Sequence, residues 1–275
     1  MKISTAVSAS NPAPPDLRGH LDARALLRQA KLRLLQMHYE SGVGHIGGNL
    51  SVLDILLCLH HCILGKDDDL ILSKGHAAGA LYIALWSRGL LSDEDLKRFH
   101  KDATRLSGHP PVSGIPSIPF ATGSLGHGLG LAAGMALAKR IRSLPGRVLC
   151  VTSDGEWNEG SSWESLIFIA HQALENLTII VDANGLQGFG TTKEVAALDP
   201  LADKFRAFGV DTIEVDGHDF DALTVALGNH WPGPRAIVAK TEKGHGVSFM
   251  ANRMEWHYLP LNEDLYQQAL REIAG

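Results

Sequence analysis

Val148-Leu149-Cys150-Val151-Thr152-Ser153-Asp154-Gly155-Glu156-Trp157-Asn158-Glu159-Gly160 runs from a β-branched apolar stretch into a polar, glycine-bearing turn. The pattern repeats at Leu177-Thr178-Ile179-Ile180-Val181, which runs into Asp182-Ala183-Asn184-Gly185-Leu186-Gln187. A helical pattern lies between the two, so the unit reads as strand, loop, helix, strand. In open parallel sheets, ligands bind outside the carboxyl ends of the strands. Asp154 and Asn184 are therefore expected to meet one small ligand.

Working outward, helical periodicity marks Leu21–Glu40, Val52–Leu64, Ala77–Arg88, Asp93–His100 and Leu129–Arg142. Helices are also expected near Trp163–Leu174, Leu201–Phe208, Phe220–Asn229 and Asn262–Ile273. Short strands fit Leu70–Leu72, Arg147–Thr152, Leu177–Val181, Val210–Val215 and Ala236–Ala239. Alternating strands and helices predict an α/β fold, a doubly wound parallel sheet with helices on both faces. The 275 residues suit one large domain over 17–275, preceded by a mobile Ala/Ser/Pro-rich tail over 1–16.

Composition is that of an ordinary soluble enzyme: 45% hydrophobic, 20% charged, net charge −5. With no basic block, nucleic acid is not an expected partner. No stretch approaches the roughly 20 apolar residues of a membrane span, and the run from Ile55 to Leu64 reads as a buried helix. Cys58, Cys62 and Cys150 read as reduced core thiols, which favours the cytoplasm. Asp67-Asp68-Asp69 reads as a solvated turn. The glycines at 128, 130 and 134 lack the preceding strand and downstream acid of a dinucleotide site.

Asp154 offers a carboxylate, Asn184 an amide oxygen and Leu186 a backbone carbonyl, hard donors of the kind Mg2+ takes together with phosphate oxygens. Gly155 permits close approach, and a helix starting near Gly160 would aim free N–H groups at an anion. These features predict a metal–diphosphate site.

Ser153 to Gly160, with Asn184 beyond it, resembles the thiamine diphosphate motif that begins GDG and ends in N. Together with Gly44-His45-Ile46-Gly47-Gly48, Leu72-Ser73-Lys74-Gly75-His76, Ser107-Gly108-His109-Pro110 and Thr122-Gly123-Ser124-Leu125-Gly126-His127-Gly128, it is similar to transketolases from about Asp22 onward. The resemblance implies thiamine diphosphate held through Mg2+ (Ca2+ or Mn2+ substituting), with Asp154, Asn184 and Leu186 as metal ligands. It implies cofactor contacts from Gly123, Ser124, Leu125, His127, Gly155 and Glu156. His45, His76 and His109 would line a sugar channel. Glu159 and Glu164 would lie at a subunit interface. In the loop Lys243-Gly244-His245-Gly246 and at Glu255-Trp256-His257, either His245 or His257 would approach cofactor or substrate.

Three departures stand out: Ser153 for the usual first glycine, His245 where lysine is more common, and Tyr258 where glycine is usual. The last two lie by the substrate entrance and put the usual pentose phosphates in doubt. The pyrimidine-binding half of a transketolase has no counterpart in the sequence. The resemblance thus implies one half of a split enzyme that moves a two-carbon ketol unit from a ketose to an aldose acceptor. It would need a pyrimidine-binding C-terminal subunit, be inactive alone, and assemble as an α2β2 heterotetramer. The alternatives are an α-subunit of a 2-oxo acid dehydrogenase type, a specialised acyl or ketol transferase, or a non-catalytic cofactor-binding subunit.

Overall fold

The computed structural model describes residues 22–115, 117–228 and 232–275; the tail expected over 1–16 lies outside the described residues, as does Asn229. In chain order the elements are α1 (Ala23–Ser41), α2 (Ile46–Cys58), β1 (Asp69–Leu72), α3 (Ala78–Ser87), α4 (Asp93–Lys97), α5 (Gly128–Ile141), β2 (Val148–Ser153), α6 (Gly160–His171), β3 (Leu177–Ala183), α7 (Thr192–Ala196), α8 (Leu201–Ala207), β4 (Asp211–Asp216), α9 (Phe220–Gly228), β5 (Arg235–Lys240) and α10 (Glu263–Ala274).

The strands form one sheet in the order β1-β2-β3-β5-β4, every pairing parallel. Successive residues point to opposite faces, and both faces are covered. Val148, Cys150, Ile179, Val181, Ala236 and Val238 join a core with α5, α6 and α8. Leu149, Val151, Ile180, Ile237 and Ala239 join a second core with α1, α2, α3 and α9. Burial on both faces explains why these strands read as unbroken apolar runs. The path from β1 to β4 crosses the sheet in one direction and β4 to β5 steps back. Right-handed crossovers therefore send α9 to the face opposite α6 and α8.

Several boundaries differ from the sequence reading. α2 starts at Ile46, well before Val52, and runs on through a π-helical turn at Leu59–Ile63. Every residue of Ile46–Cys58 is buried, so no polar face marks the helix start. Over Ile46–Ile63 this run is long and apolar enough to cross a membrane, but 94% of it is buried within the protein, as a core helix. α4 ends at Lys97, short of His100, which takes φ 59°. α7, opened by a Thr191–Glu194 capping box, was not expected.

The acidic run at 67–69 is not simply a solvated turn. Asp68 accepts from the Arg147 backbone at 2.7 Å and its guanidinium at 2.9 Å, and Asp69 pairs with Lys139 at 2.8 Å. Two of the three carboxylates thus fasten the start of β1 to neighbouring elements.

Candidate functional site

The turns after β2 and β3 meet at an open cleft of ≈ 350 Å³ at the carboxyl end of the sheet. Ser153 ends β2 in register with Asp182 of β3. Its backbone has no positive φ, so serine fits there without strain. Asp154 accepts from Gly155 N at 2.7 Å and from Gly185 N at 2.6 Å, bridging the two turns. Asn184 accepts from Leu186 N at 3.0 Å and its amide donates to Ser51 at 3.3 Å. Burial, and then the neighbouring Asp182 carboxylate, push Asp154 up to about 6. A divalent cation would restore its ionised form, and Asn184 and Leu186, on the same wall, carry the further oxygens such an ion takes.

Two lysines to which the sequence pattern alone assigns no role lie in this cleft. Lys74 is 1% exposed; its ammonium donates to Gly48 O at 3.0 Å and Ser51 Oγ at 3.2 Å, and forms an ion pair with buried Asp182. Asp182 also accepts from Ser51 at 2.7 Å and from Thr241. Lys243, also 1% exposed, sits 3.1 Å from His257 Nδ1; burial, and then Lys74, push it down to about 8. Two ammonium groups and one rebalanced carboxylate suit a diphosphate. The only sequence signal for this was a lysine two residues past the apolar strand end at Leu72. Lys74→Met should cost about 3–5 kcal/mol by leaving Asp182 buried and uncompensated. Urea unfolding checks this, and a loss under about 1 kcal/mol would mean that water reaches the carboxylate.

Four histidines converge above this floor. His45 lies 5.6 Å from His76, 6.2 Å from His109 and 5.0 Å from His257 by ring centroids; His76 and His257 are 5.5 Å apart. His45 takes φ 64° at the start of α2, which turns the chain as it enters the helix. Burial lowers all four: His257 to about 3, with Lys243 adding to the effect, His76 well below its ordinary value, His45 and His109 less. They are neutral near pH 7, each with one donor and one acceptor nitrogen. Because the Lys243 ammonium faces His257 Nδ1, Nε2 carries that ring's proton.

His245 is elsewhere. Its ring stacks on His218 at 3.5 Å and 12°, and its Nδ1 lies 3.5 Å from the Glu242 carboxylate. Of the two candidates, His257 lines the cleft. Asp54, His218 and His245 bring possible metal-ligand atoms within 4.8 Å. However, His218 Nε2 accepts from Glu242 N at 2.9 Å, so its Nδ1 carries a proton and donates to Asp54 at 2.8 Å. Both His218 nitrogens are engaged, and no one ion can lie in the planes of two rings stacked 3.5 Å apart. The group is a strut beneath the Lys243 loop.

The remaining expected residues divide. Gly123, Leu125, Gly155 and Glu159 line the cleft, and Gly123 holds φ 150° against the His109 ring. Ser124 and His127 are exposed on the same loop, with His127 Nδ1 3.1 Å from Leu125 O. Glu156, expected among the cofactor contacts, is fully buried beneath the cleft. It accepts from the Ser73 hydroxyl, from Gly126 N at 2.8 Å and from Ser153 N at 3.3 Å, binding three loops together. Glu164 is exposed on α6, away from the cleft.

Residues 30–275 match the family model described as transketolase, thiamine diphosphate binding domain. The chain is 35% identical over 264 residues to one subunit of the apulose-4-phosphate transketolase of Actinobacillus succinogenes, covering 92% of this chain and 95% of that one. It is 36% identical over 244 residues to 6-deoxy-6-sulfo-D-fructose transketolase subunit SqwG of Clostridium sp., covering 84% and 89%. The solved transketolase of Campylobacter jejuni superposes with a TM-score of 0.81 at 27% identity, over 92% of this chain and 42% of that one. The chain thus spans about the whole of the transketolase subunits it matches and about two fifths of that solved enzyme. A parallel sheet with this cleft at its carboxyl end, and these relatives, make the chain a member of the transketolase family, carrying its thiamine diphosphate-binding domain.

Proposed function

We propose that this chain is the diphosphate-binding subunit of a thiamine diphosphate- and Mg2+-dependent transketolase that transfers a two-carbon ketol unit from a ketose to an aldose acceptor. The observation that carries the reading is the strand-end carboxylate of Asp154, raised to about 6, in one cleft with two buried lysines and four converging histidines. Asp154, Asn184 and the Leu186 carbonyl would hold Mg2+, with Ca2+ or Mn2+ able to replace it. Lys74 and Lys243 would balance the diphosphate, and Gly123, Leu125 and Gly155 let backbone approach it.

When bound, thiamine diphosphate supplies the electron sink that breaks and remakes a carbon–carbon bond beside a carbonyl. The protein's part is binding, orientation and proton transfer. Neutral His45, His76 and His109 can donate to one sugar hydroxyl and accept from another. The proton on the hydroxyl beside the breaking bond passes to an open ring nitrogen and returns to the new hydroxyl oxygen on the acceptor. His257 offers its Nε2–H as a fixed donor. Calorimetry with thiamine diphosphate should give heat that depends on Mg2+ and is lost on chelation. No such heat, with or without the pyrimidine-binding subunit, would overturn the reading.

Two of the relatives are named as single subunits of their apulose-4-phosphate transketolases, which supports a separate partner chain. We place that contact, within an α2β2 heterotetramer, at the rim and α6. Glu159 lies on the rim, and exposed Glu164 is flanked by Ile167, 53% exposed, and Phe168, 39% exposed. Glu164→Gln and Ile167→Asp should each weaken association about tenfold or more, read by sedimentation of the mixed subunits. Unchanged association would move the interface elsewhere. That none of Cys58, Cys62 and Cys150 is in a disulfide supports a cytoplasmic setting.

A further inference from the structure

Tyr258 and Gly188 face each other at the cleft mouth. The Tyr258 hydroxyl donates to Gly188 O at 3.0 Å, and its ring stands edge-on to His257 at 4.7 Å and 69°. The Tyr258 backbone carbonyl lies against Gly44, leaving no room there for a Cβ. One residue of the C-terminal loop is thus tied to the loop before α2, to the loop after β3 and to a cleft histidine.

Gly188 has no positive φ, so its backbone would accept a side chain. What it lacks is volume. A Cβ at 188 would lie 2.5 Å from the Tyr258 hydroxyl oxygen, 3.4 Å from its Cζ and 3.4 Å from His257 Nε2. With the phenol in this position a side chain at 188 would force it to shift, and the two positions are complementary in shape. Tyr258, 54% exposed, and Phe189, 85% exposed, both line the cleft. Among the described lining residues, the lysines are buried on the floor, while Asn158, Glu159, Gln187, Phe189 and Tyr258 form the outer lining.

We propose that Tyr258, seated on Gly188, is a specificity-determining residue that narrows the mouth and restricts the acceptor to short hydroxyaldehydes. The inference rests on the ketol-transfer reading above. The phenol fills space through which a longer acceptor chain would run, and its bond to Gly188 O keeps it from swinging aside.

The test uses the assembled two-subunit enzyme with hydroxypyruvate as donor, comparing kcat/KM for glycolaldehyde and ribose 5-phosphate. Tyr258→Gly should shift that ratio toward ribose 5-phosphate by about tenfold or more, the scale on which a pocket discriminates by size. Tyr258→Phe keeps the ring and should shift it much less. Gly188→Ala should impair both reactions, and adding Tyr258→Phe should rescue it by removing the oxygen at the 2.5 Å approach. An unmoved ratio in Tyr258→Gly, or Gly188→Ala without effect, overturns the proposal while ketol transfer stands. No turnover of either aldehyde by the unmutated pair overturns the ketol-transfer reading and this proposal with it.

Discussion

Asp154→Asn should abolish Mg2+-dependent thiamine diphosphate binding while making the cofactor-free chain more stable at pH 7.5. The folded-state pKa is raised from 3.8 to about 6, so between those values the folded chain keeps a proton that the unfolded chain has lost. Stability from this group therefore falls as pH rises through that window and stays lower above it. A shift of this size corresponds to about 3 kcal/mol. Asparagine removes the charge but keeps only one acceptor oxygen for the two backbone donors, Gly155 and Gly185. Losing one such bond costs about 1 kcal/mol, leaving a net gain of about 2 kcal/mol from these two terms. Bound cation and diphosphate should reverse the balance in the unmutated chain, adding about 2.7 kcal/mol at a hundred times Kd. That increment should grow as pH climbs through about 6. Urea unfolding at pH 5 and 7.5, with and without Mg2+ and thiamine diphosphate, separates the terms. A variant that still binds the cofactor through Mg2+, or that is less stable without it, would show that Asp154 is held by its hydrogen bonds and is not waiting for a cation.

The acid limb of stability has a different origin. His38 is pushed down to about 4 and His60 to about 3, in both cases chiefly by burial. Their neutral forms are favoured in the folded chain, so stability is lost as pH falls below their ordinary value of 6.5, where the unfolded chain gains protons. Comparing Asp154→Asn with the unmutated chain at each pH cancels these contributions.

What the sequence made legible was local. The strands at β2 and β3 announced themselves because each is apolar on both faces, and each ends in a turn carrying a metal-ligand residue type. The strand order was not legible, since the reversal from β4 to β5 depends on which face α9 covers and on no single residue. The start of α2 was obscured because Gly47-Gly48 reads as loop when every neighbouring position is buried. At the site, glycine flanks and family resemblance pointed to His45, His76 and His109. The Lys74–Asp182 pair, 108 residues apart, and the ties from Glu156 to Ser73 and Gly126, 83 and 30 residues away, exist only after folding. Glu156 sits two residues from Asp154 in sequence but is fully buried, held by Ser73 and Gly126. The choice between His245 and His257 turned on His218, whose ring holds His245 away from the cleft.

Purified alone, the chain should transfer no measurable ketol, and its activity should rise by about 10²–10⁴-fold or more when the pyrimidine-binding subunit is added, the range supplied by one positioned proton-transfer group. The cleft is built for the charged end of the cofactor: Asp154, Asn184, Lys74, Lys243 and four histidines dominate its walls. Leu125, Leu186, Phe189 and the ring of Tyr258 are its apolar members, and Phe189 and Tyr258 stand at the mouth, 85% and 54% exposed. With so few apolar members, two of them at the solvent edge, the cleft offers no enclosed apolar seat for an aromatic pyrimidine. In the proposed assembly the partner supplies that seat and brings the carboxylate that activates the ring. Diphosphate binding and catalysis should consequently separate: calorimetry should detect Mg2+-dependent cofactor binding by the single chain, tightened on mixing, while ketol transfer follows the mixed species alone. Titrating partner into a fixed amount of this chain should give activity that saturates at one to one. Ketol transfer by the single chain at a rate near that of the mixture would show that its own residues complete the site, and Glu159, the carboxylate on the rim, would then be the residue to replace first.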